Sequence, residues 1–153
     1  MTEQELNKQV VRDYFQKCWN ENNLDAGYDL IKKDYEWHLE GGEAWGTALE
    51  GWRVGVGAYL KAFPDCHWVE KQMLAEGDLV CVRHVWTATH SAEWMGVPAS
   101  GKKVEVANFD LYRLEDGKLA EHWDLVDWLA VFKQIGGNDV KTVGSMFLGS
   151  VKD

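Results

Sequence analysis

The most constraining feature of this sequence is a run of alternating residues, VEVANFDLYRLEDGKLAEHWDLV, with one Asp-Gly pair inside it. A period of two is typical of β-strands, and Asp-Gly between two such runs is a strong hairpin signal. The pattern therefore predicts two antiparallel strands that turn at 115–117. On the second strand, His122 and Asp124 share one face, whereas Glu121 and Trp123 share the other.

Polar side chains also follow one face of the first strand, where Asn108, Asp110 and Tyr112 alternate with apolar neighbours. If the polar faces of both strands point inward, two carboxylates share a confined site. Burial and mutual repulsion then keep one carboxyl protonated while the other acts as a base. This suits removal of a proton α to a carbonyl, with Asn108 or His122 donating a hydrogen bond to the enolate oxygen. The alternative is a polar face that meets solvent or a dimer interface and has no function.

Helical periodicity dominates the first part of the chain. Thr2 and Glu5 form a capping box, and apolar residues recur behind them at helical spacing. Asp25 can cap a short second helix, and Pro64 ends a third. The predicted helices cover, in order, 3–22, 25–32 and 52–63.

The remaining segments predict strands and one further helix. A strand is expected over 34–40, a loop over 41–51, and a hairpin after Pro64 that turns at 76–78. A short helix after the last strand ends at Gly136-Gly137, and VGSMFLGSV in the tail suggests an extra strand. Helices first and antiparallel strands second predict an α+β fold, with helices packed on one face of a strongly curved mixed or antiparallel sheet. Such a sheet leaves a pocket between itself and the helices.

Charge and composition restrict the partners. The formal net charge is -9, and no run of Lys or Arg exceeds two residues, which argues against nucleic acid and anionic membranes. No segment approaches the roughly 18 apolar residues that a membrane span needs, and the start, MTEQELNKQ, lacks the apolar core of a signal peptide. The three cysteines are widely spaced, which indicates reduced thiols in a cytoplasmic protein and no zinc site.

Aromatic and histidine residues supply candidates for ligand binding. Nine tryptophans are present, which either fill the core or line a pocket for a flat, apolar ligand. A histidine among aromatic residues is commonly a hydrogen-bonded wall residue of such a pocket. The candidate substrate-binding residues are Tyr14, Trp37, His38, His84, Trp86, His90 and Asn108.

Four segments resemble the SnoaL-like polyketide cyclases of the nuclear-transport-factor-2-like fold. The resemblance covers most of 3–136, and the tail over 138–153 lies outside it. It implies a single domain over 1–153, built as a cone-shaped α+β barrel with a deep pocket. The matching segments are AFPD, AEGDLV, ATHSAEWMGVPASGKKV and FDLYRLEDGKLAEHWDLVDWLAVFKQIG.

The resemblance also implies a reaction. Asp124 occupies the position of the aspartate that is the acid and base of an intramolecular aldol ring closure in characterised cyclases. Those enzymes carry a histidine fourteen residues earlier, where this chain has Asp110. The expected catalytic residues are therefore Asp124, Asp110 and His122, the last two as participants or as groups that orient Asp124. We expect a homodimer that acts on a small apolar or aromatic substrate without a cofactor or metal.

Three other functions remain open from the sequence. A limonene-epoxide-hydrolase-like enzyme would place an arginine two residues before a pocket aspartate, where this chain has Asn108. A dehydratase would use an Asp–His pair, and a binding module would only hold a small ligand or dimerise. A deep cavity containing Asp110 and Asp124 favours an enzyme, whereas a cavity filled by tryptophan side chains favours a structural role.

Overall fold

The computed structural model of the protein describes residues 1–38 and 44–136. Helices pack on one face of a sheet. The helices are α1 (Glu3–Tyr14), which continues as a π-helical segment (Phe15–Asn20), α2 (Leu24–Tyr28), α3 (Ala48–Ala62) and α4 (Trp128–Ile135). The strands are β1 (Ile31–His38), β2 (Ala44–Thr47), β3 (His67–Glu76), β4 (Leu79–Thr89), β5 (Lys103–Glu115) and β6 (Lys118–Val126).

The six strands form one mixed sheet in the order β2-β1-β6-β5-β4-β3. Only the β1–β6 pair is parallel, because β1 reaches β6 through a long crossover, whereas the hairpins β3–β4 and β5–β6 are antiparallel. The predicted α+β class and the helix-covered mixed sheet are confirmed. Within the described residues the sheet is open between β2 and β3 and does not close into the predicted barrel.

The first helix begins where its capping residue predicts. Thr2 Oγ1 accepts a hydrogen bond from the Glu5 amide at 3.3 Å, which satisfies one of the unpaired donors of the first turn. The last turn widens into the π-helical segment, with the Glu21 amide donating to the Gln16 carbonyl at 3.0 Å. Segments of this kind are frequent at functional sites, and this one carries two aromatic side chains toward the sheet.

Two boundaries near the start of the sheet differ from the prediction. The cap of α2 is Asn23, whose side chain accepts from the Ala26 amide, while Asp25 instead pairs with Arg53 at 2.8 Å. Helix α2 ends at Tyr28 rather than near residue 32, because Ile31 is buried in the core at the start of β1. The segment predicted as a loop over 41–51 contains β2 and the start of α3.

The two hairpins and the last helix agree with the prediction. Asp116 and Gly117 form the turn of β5–β6, both with positive φ. Helix α4 ends at Gly136, whose φ of 101° places it in the left-handed region that favours glycine as a helix terminator. The predicted tail strand lies outside the described residues. None of the described helices is long and apolar enough to cross a membrane.

The period of two decides which side chains reach the core. On β5, Asn108, Asp110 and Tyr112 are buried, whereas Phe109 is 46% exposed. The inner face packs under α1, the π-helical segment and α4, and the outer face of β5 lacks such cover in the described chain. The hairpin therefore points its polar stripe inward, as the sequence predicts.

Candidate active site

A cavity of about 120 Å³ lies between the sheet and the helices. Most of its wall is aromatic, and its polar groups come from the inner faces of β5 and β6. The lining residues are Phe15, Trp19, Trp37, Tyr59, Trp68, Met95, Asn108, Asp110, Tyr112, His122, Asp124, Val126 and Trp128. An apolar cavity with a few convergent polar groups is typical of a small-molecule site.

Asp110 is the most heavily hydrogen-bonded group of the cavity. Its Oδ1 accepts from His122 Nε2 at 2.6 Å, and its Oδ2 accepts from Asn108 Nδ2 at 2.6 Å and from His84 Nε2. Three neighbouring strands supply these donors, so the sheet register holds them around one carboxylate. We call Asp110 and these three partners the Asp110 clamp.

The clamp keeps Asp110 ionised. Burial alone would raise the pKa of this carboxyl, but the charges and hydrogen bonds of His84 and His122 outweigh burial and lower the pKa below its usual range. A carboxylate that accepts several hydrogen bonds is stabilised in its charged form. Asp110 is therefore not the pocket carboxyl that is expected to remain protonated as a donor.

His122 connects the clamp to Asp124. Its ring stacks between Tyr112, with a centroid separation of 4.3 Å, and Trp37, at 5.5 Å. Asp124 is half-buried and lies directly opposite Asp110 in the β5–β6 register. One ligand atom from each of Asp110, His122 and Asp124 lies within 4.8 Å of the other two. The cavity thus places a second carboxylate beside an oriented imidazole.

The spacing between His122 and Asp110 in this trio is that of a hydrogen bond and not that of two ligands of one zinc ion. Two ligand atoms around Zn²⁺ are about 3.3 Å apart, given bonds near 2.0–2.1 Å and tetrahedral angles. His122 Nε2 and Asp110 Oδ1 are only 2.6 Å apart, which is a hydrogen-bond distance. Nε2 donates its hydrogen in this bond, so it would have to lose that hydrogen and move away from Oδ1 before both atoms could bind one metal ion.

Several buried polar atoms of the lining residues have no hydrogen-bond partner within the described chain. They include two oxygens, Asn108 Oδ1 and the Tyr59 hydroxyl, and the indole nitrogens of Trp19 and Trp68. Asn108 is 1% exposed and Tyr59 is 5% exposed. Since buried polar groups are normally paired, these atoms are candidates for contact with a ligand.

Several predicted binding residues lie in the core beside the cavity and not on its wall. The Tyr14 hydroxyl accepts from Trp52 Nε1 at 2.9 Å. Trp86 is fully buried and stacks on Trp68. His90 contacts Ser100 through Nδ1 at 3.0 Å, and burial lowers its pKa. These three have packing or loop-anchoring roles in the structure.

His38 and His84, the other two histidines predicted to bind substrate, differ in where they lie relative to the cavity. His38 lies on the outer face of the sheet, where its ring stacks on Trp123 at 5.0 Å, so the prediction that it binds substrate is wrong. Consecutive residues of a strand point to opposite faces, and its neighbour Trp37 takes the inner one. His84 is not a lining residue of the cavity, but it contacts the lining residues Asp110 and Asn108. It also lines an adjacent cavity of about 200 Å³ beside Arg12 and Glu70.

Part of the aromatic wall was not predicted from the sequence. Phe15 and Trp19 come from the π-helical segment, and Tyr59 comes from α3. Their helical spacing marks them as inward-facing, but the same spacing marks every core residue of those helices. Trp128 follows Asp127, whose side chain caps α4, and this cap turns the chain over the end of the sheet.

Comparison with known proteins gives the family. The model of the SnoaL-like polyketide cyclases matches residues 9–135, so the chain belongs to this family. Aklanonic acid methyl ester cyclase DnrD from Streptomyces peucetius is 29% identical over 100 residues, which cover 64% of this chain and 63% of that enzyme.

Solved structures agree on the fold. AclR from Streptomyces galilaeus, a proposed hydroxylase, is 27% identical, with a TM-score of 0.80 over 90% of this chain and all of that one. A proposed SnoaL-like polyketide cyclase from Jannaschia sp. CCS1 is 23% identical, with a TM-score of 0.82 over 91% of this chain and 98% of that one. The second similarity shows the cone-shaped fold alone.

Proposed function

We propose that the protein is a cofactor-independent cyclase that closes a ring in a small polyketide-like carbonyl compound, with Asp124 as the acid and base. One observation carries this proposal. The cavity holds two carboxylates that lie opposite each other in the β5–β6 register, Asp110 with three hydrogen bonds and Asp124 within 4.8 Å of a ligand atom of His122. Family membership and the similarity to a polyketide ester cyclase support the same reaction class.

The proposed reaction needs a base and a proton donor, and the cavity supplies both. Asp124 removes a proton from a carbon between two carbonyl groups, and the resulting enolate carbon attacks a ketone in the same molecule. The ketone oxygen then receives a proton, so substrate and product have the same composition. Asp124 returns the proton that it removed, and because Nε2 of His122 already donates to Asp110, Nδ1 is the ring atom left to contact the oxygen that becomes negative. Asn108 gives one of its two amide hydrogens to Asp110, and the second N–H is a further candidate donor.

The aromatic wall fits a flat apolar substrate. Trp19, Trp37, Trp68 and Trp128 line the cavity, whereas Trp52 and Trp86 fill the core. Aromatic side chains bury flat ligands well and exclude water. Exclusion of water strengthens the electrostatic effect of the clamp on the reacting groups.

The two alternative enzymes receive unequal support. No arginine lines the cavity within the described chain, so the Asp–Arg–Asp arrangement of an epoxide hydrolase is incomplete. A dehydratase has more support, because His122 and Asp124 lie within 4.8 Å of each other. Mass spectrometry separates the two remaining reactions, since cyclisation conserves the mass of the substrate and dehydration removes one water.

The decisive experiment is a turnover assay with aklanonic acid methyl ester, the compound in the name of the similar cyclase, together with shorter polyketide esters. We expect the wild type to give an isomer with one more ring. Asp124→Asn should lower the rate by about 100- to 10,000-fold, the usual contribution of a general acid or base. Glu36→Gln, on the outer face of the sheet, is the control. A wild type that binds but converts none of these esters would favour a binding module.

We also propose that the protein is a homodimer formed through the outer face of its sheet. Phe109 and Leu125 are paired across β5 and β6 and are 46% and 57% exposed, and apolar patches of this kind commonly mark interfaces. Light scattering should give twice the 17.5 kDa of one chain. Phe109→Glu should release monomers, whereas Val54→Glu on α3 should not. A monomeric wild type at micromolar concentration contradicts this proposal.

The buried or half-buried free thiols agree with the predicted cytoplasmic location.

A further inference from the structure

Asn108 presents one half of its amide group to the clamp and the other half to no partner in the described chain. Its Nδ2 lies 2.6 Å from Asp110 Oδ2 and 3.4 Å from His84 Nε2. Its Oδ1 is buried and has no hydrogen-bond partner, although the side chain lines the cavity. A buried acceptor without a donor costs free energy, which a bound ligand would recover.

The charge of Asp110 determines which atom of the Asn108 amide group is Nδ2 and which is Oδ1. Asp110 is held ionised by His84 and His122, so both of its oxygens act only as acceptors. A rotated amide would place Asn108 Oδ1 at 2.6 Å from a negatively charged oxygen, with no hydrogen between the two atoms. The amide must therefore donate to Asp110, and the carbonyl oxygen remains a buried acceptor with no partner within the described residues.

We infer that Asn108 Oδ1 is a specificity site for a hydroxyl group of the substrate, so that the pocket selects a phenol or an enol over the matching ketone, ether or hydrocarbon. A ketone or ether oxygen has no hydrogen to donate and would face the amide oxygen with like partial charge. This inference rests on the proposed function, since it places that hydroxyl beside Asp110 and close to Asp124. The inference adds that the substrate carries a hydrogen-bond donor at the end that lies beside Asn108.

The Tyr59 hydroxyl is a second candidate partner that could hydrogen-bond such a hydroxyl group. It is buried, lines the same cavity and has no partner within the described residues. A phenol hydroxyl can both donate and accept, so Tyr59 does not discriminate a hydroxyl from a ketone, whereas an amide oxygen does. The preference for a donor therefore belongs to Asn108.

The test compares two aromatic ligands that differ by one group, p-cresol and p-xylene. Binding to the full-length protein is measured by NMR titration of the tryptophan indole N–H signals, since four tryptophans line the cavity. We expect the wild type to bind p-cresol about 10- to 100-fold more tightly than p-xylene, because p-xylene leaves Oδ1 unpaired. In Asn108→Leu the preference should fall by at least about 10-fold or reverse. Tyr59→Phe should retain it.

The matched control is Asn7→Leu, the same substitution at another buried asparagine, on α1 and away from the cavity wall. It should keep the wild-type preference for p-cresol. A wild type that binds p-xylene as tightly as p-cresol, or binds neither, overturns the inference even if Asn108→Leu fails to fold. Loss of the preference in Tyr59→Phe alone also overturns it. Neither ligand reacts, so a failed cyclisation assay would leave the inference standing.

Discussion

The two faces of the β1–β6 pair carry the same kinds of side chains in different environments. On the inner face, Trp37 stacks on His122, whose Nε2 lies 2.6 Å from a buried carboxylate. On the outer face, His38 stacks on Trp123, and its Nε2 lies 3.4 Å from both Glu36 and Glu121. Each cluster thus contains a tryptophan, a histidine and two carboxylates within reach of the imidazole.

Burial is what separates the two clusters. The side chain of Asp110 is 4% exposed, whereas that of Glu36 is 54% exposed. Water screens charges at the surface, so an exposed ion pair contributes little. In the cavity the same charges act at low effective dielectric, where they fix protonation states and orient partners. The comparison teaches that a His–carboxylate pair becomes a candidate site only where the fold removes it from water.

The largest difference should appear when one carboxylate of each face is neutralised. Asp110→Asn leaves at least one imidazole N–H facing an amide donor, and removing one partner of a buried charged network costs about 3–5 kcal/mol of unfolding free energy. Glu121→Gln on the outer face should cost less than about 1 kcal/mol. Urea unfolding at neutral pH measures both. Equal losses would show that burial does not distinguish the faces.

Acidification should reduce the difference in unfolding free energy between the wild type and Asp110→Asn. Since the folded pKa of Asp110 is below its unfolded value of about 3.9, its ionisation stabilises the fold at pH values above the unfolded pKa. That stabilisation is lost as the pH falls below the unfolded value and through the folded one. The gap in unfolding free energy between wild type and Asp110→Asn should therefore narrow from pH 7 to pH 3. A gap that is constant or widens on acidification would contradict the lowered pKa.

The smallest difference is expected from the stacked histidines. His122→Ala removes a donor to Asp110 and a ring buried between two aromatic side chains, and should cost about 2–3 kcal/mol. His38→Ala removes only a partly exposed stack and should cost about 0.5 kcal/mol. Thermal unfolding of the two variants provides the measurement. A larger loss for His38→Ala would reverse the ranking of the faces.

Much of this comparison could be predicted from the sequence, because the period of a strand is local. Alternation placed Asn108 and Asp110 on one face of their strand and His122 and Asp124 on one face of the next, and the hairpin register brings the two faces together. Alternation also rules out that both Trp37 and His38 face the pocket, and the expectation for His38 neglected this constraint. The bond from His84 to Asp110 depends on the β4–β5 register, which no single strand encodes.

The aromatic wall was less predictable for a similar reason. Phe15 and Trp19 reach the cavity because α1 ends in a π-helical segment packed against β3. No local pattern in the sequence predicts that change of helix type. Strand β2 was missed because it is four residues long and contains a glycine, which weakens any strand signal. Strand β2 is therefore stabilised by its pairing with β1 and not by the strand propensity of its own residues.

The most direct test of the account is to measure turnover and unfolding free energy together in Asp124→Asn. In the proposed mechanism Asp124 carries out the reaction, whereas Asp110 has a structural role. Asp124→Asn should therefore lose at least about 100-fold in rate while its unfolding free energy stays within about 1 kcal/mol of the wild type. An Asp124→Asn variant that retains the full rate of the wild type would contradict the account.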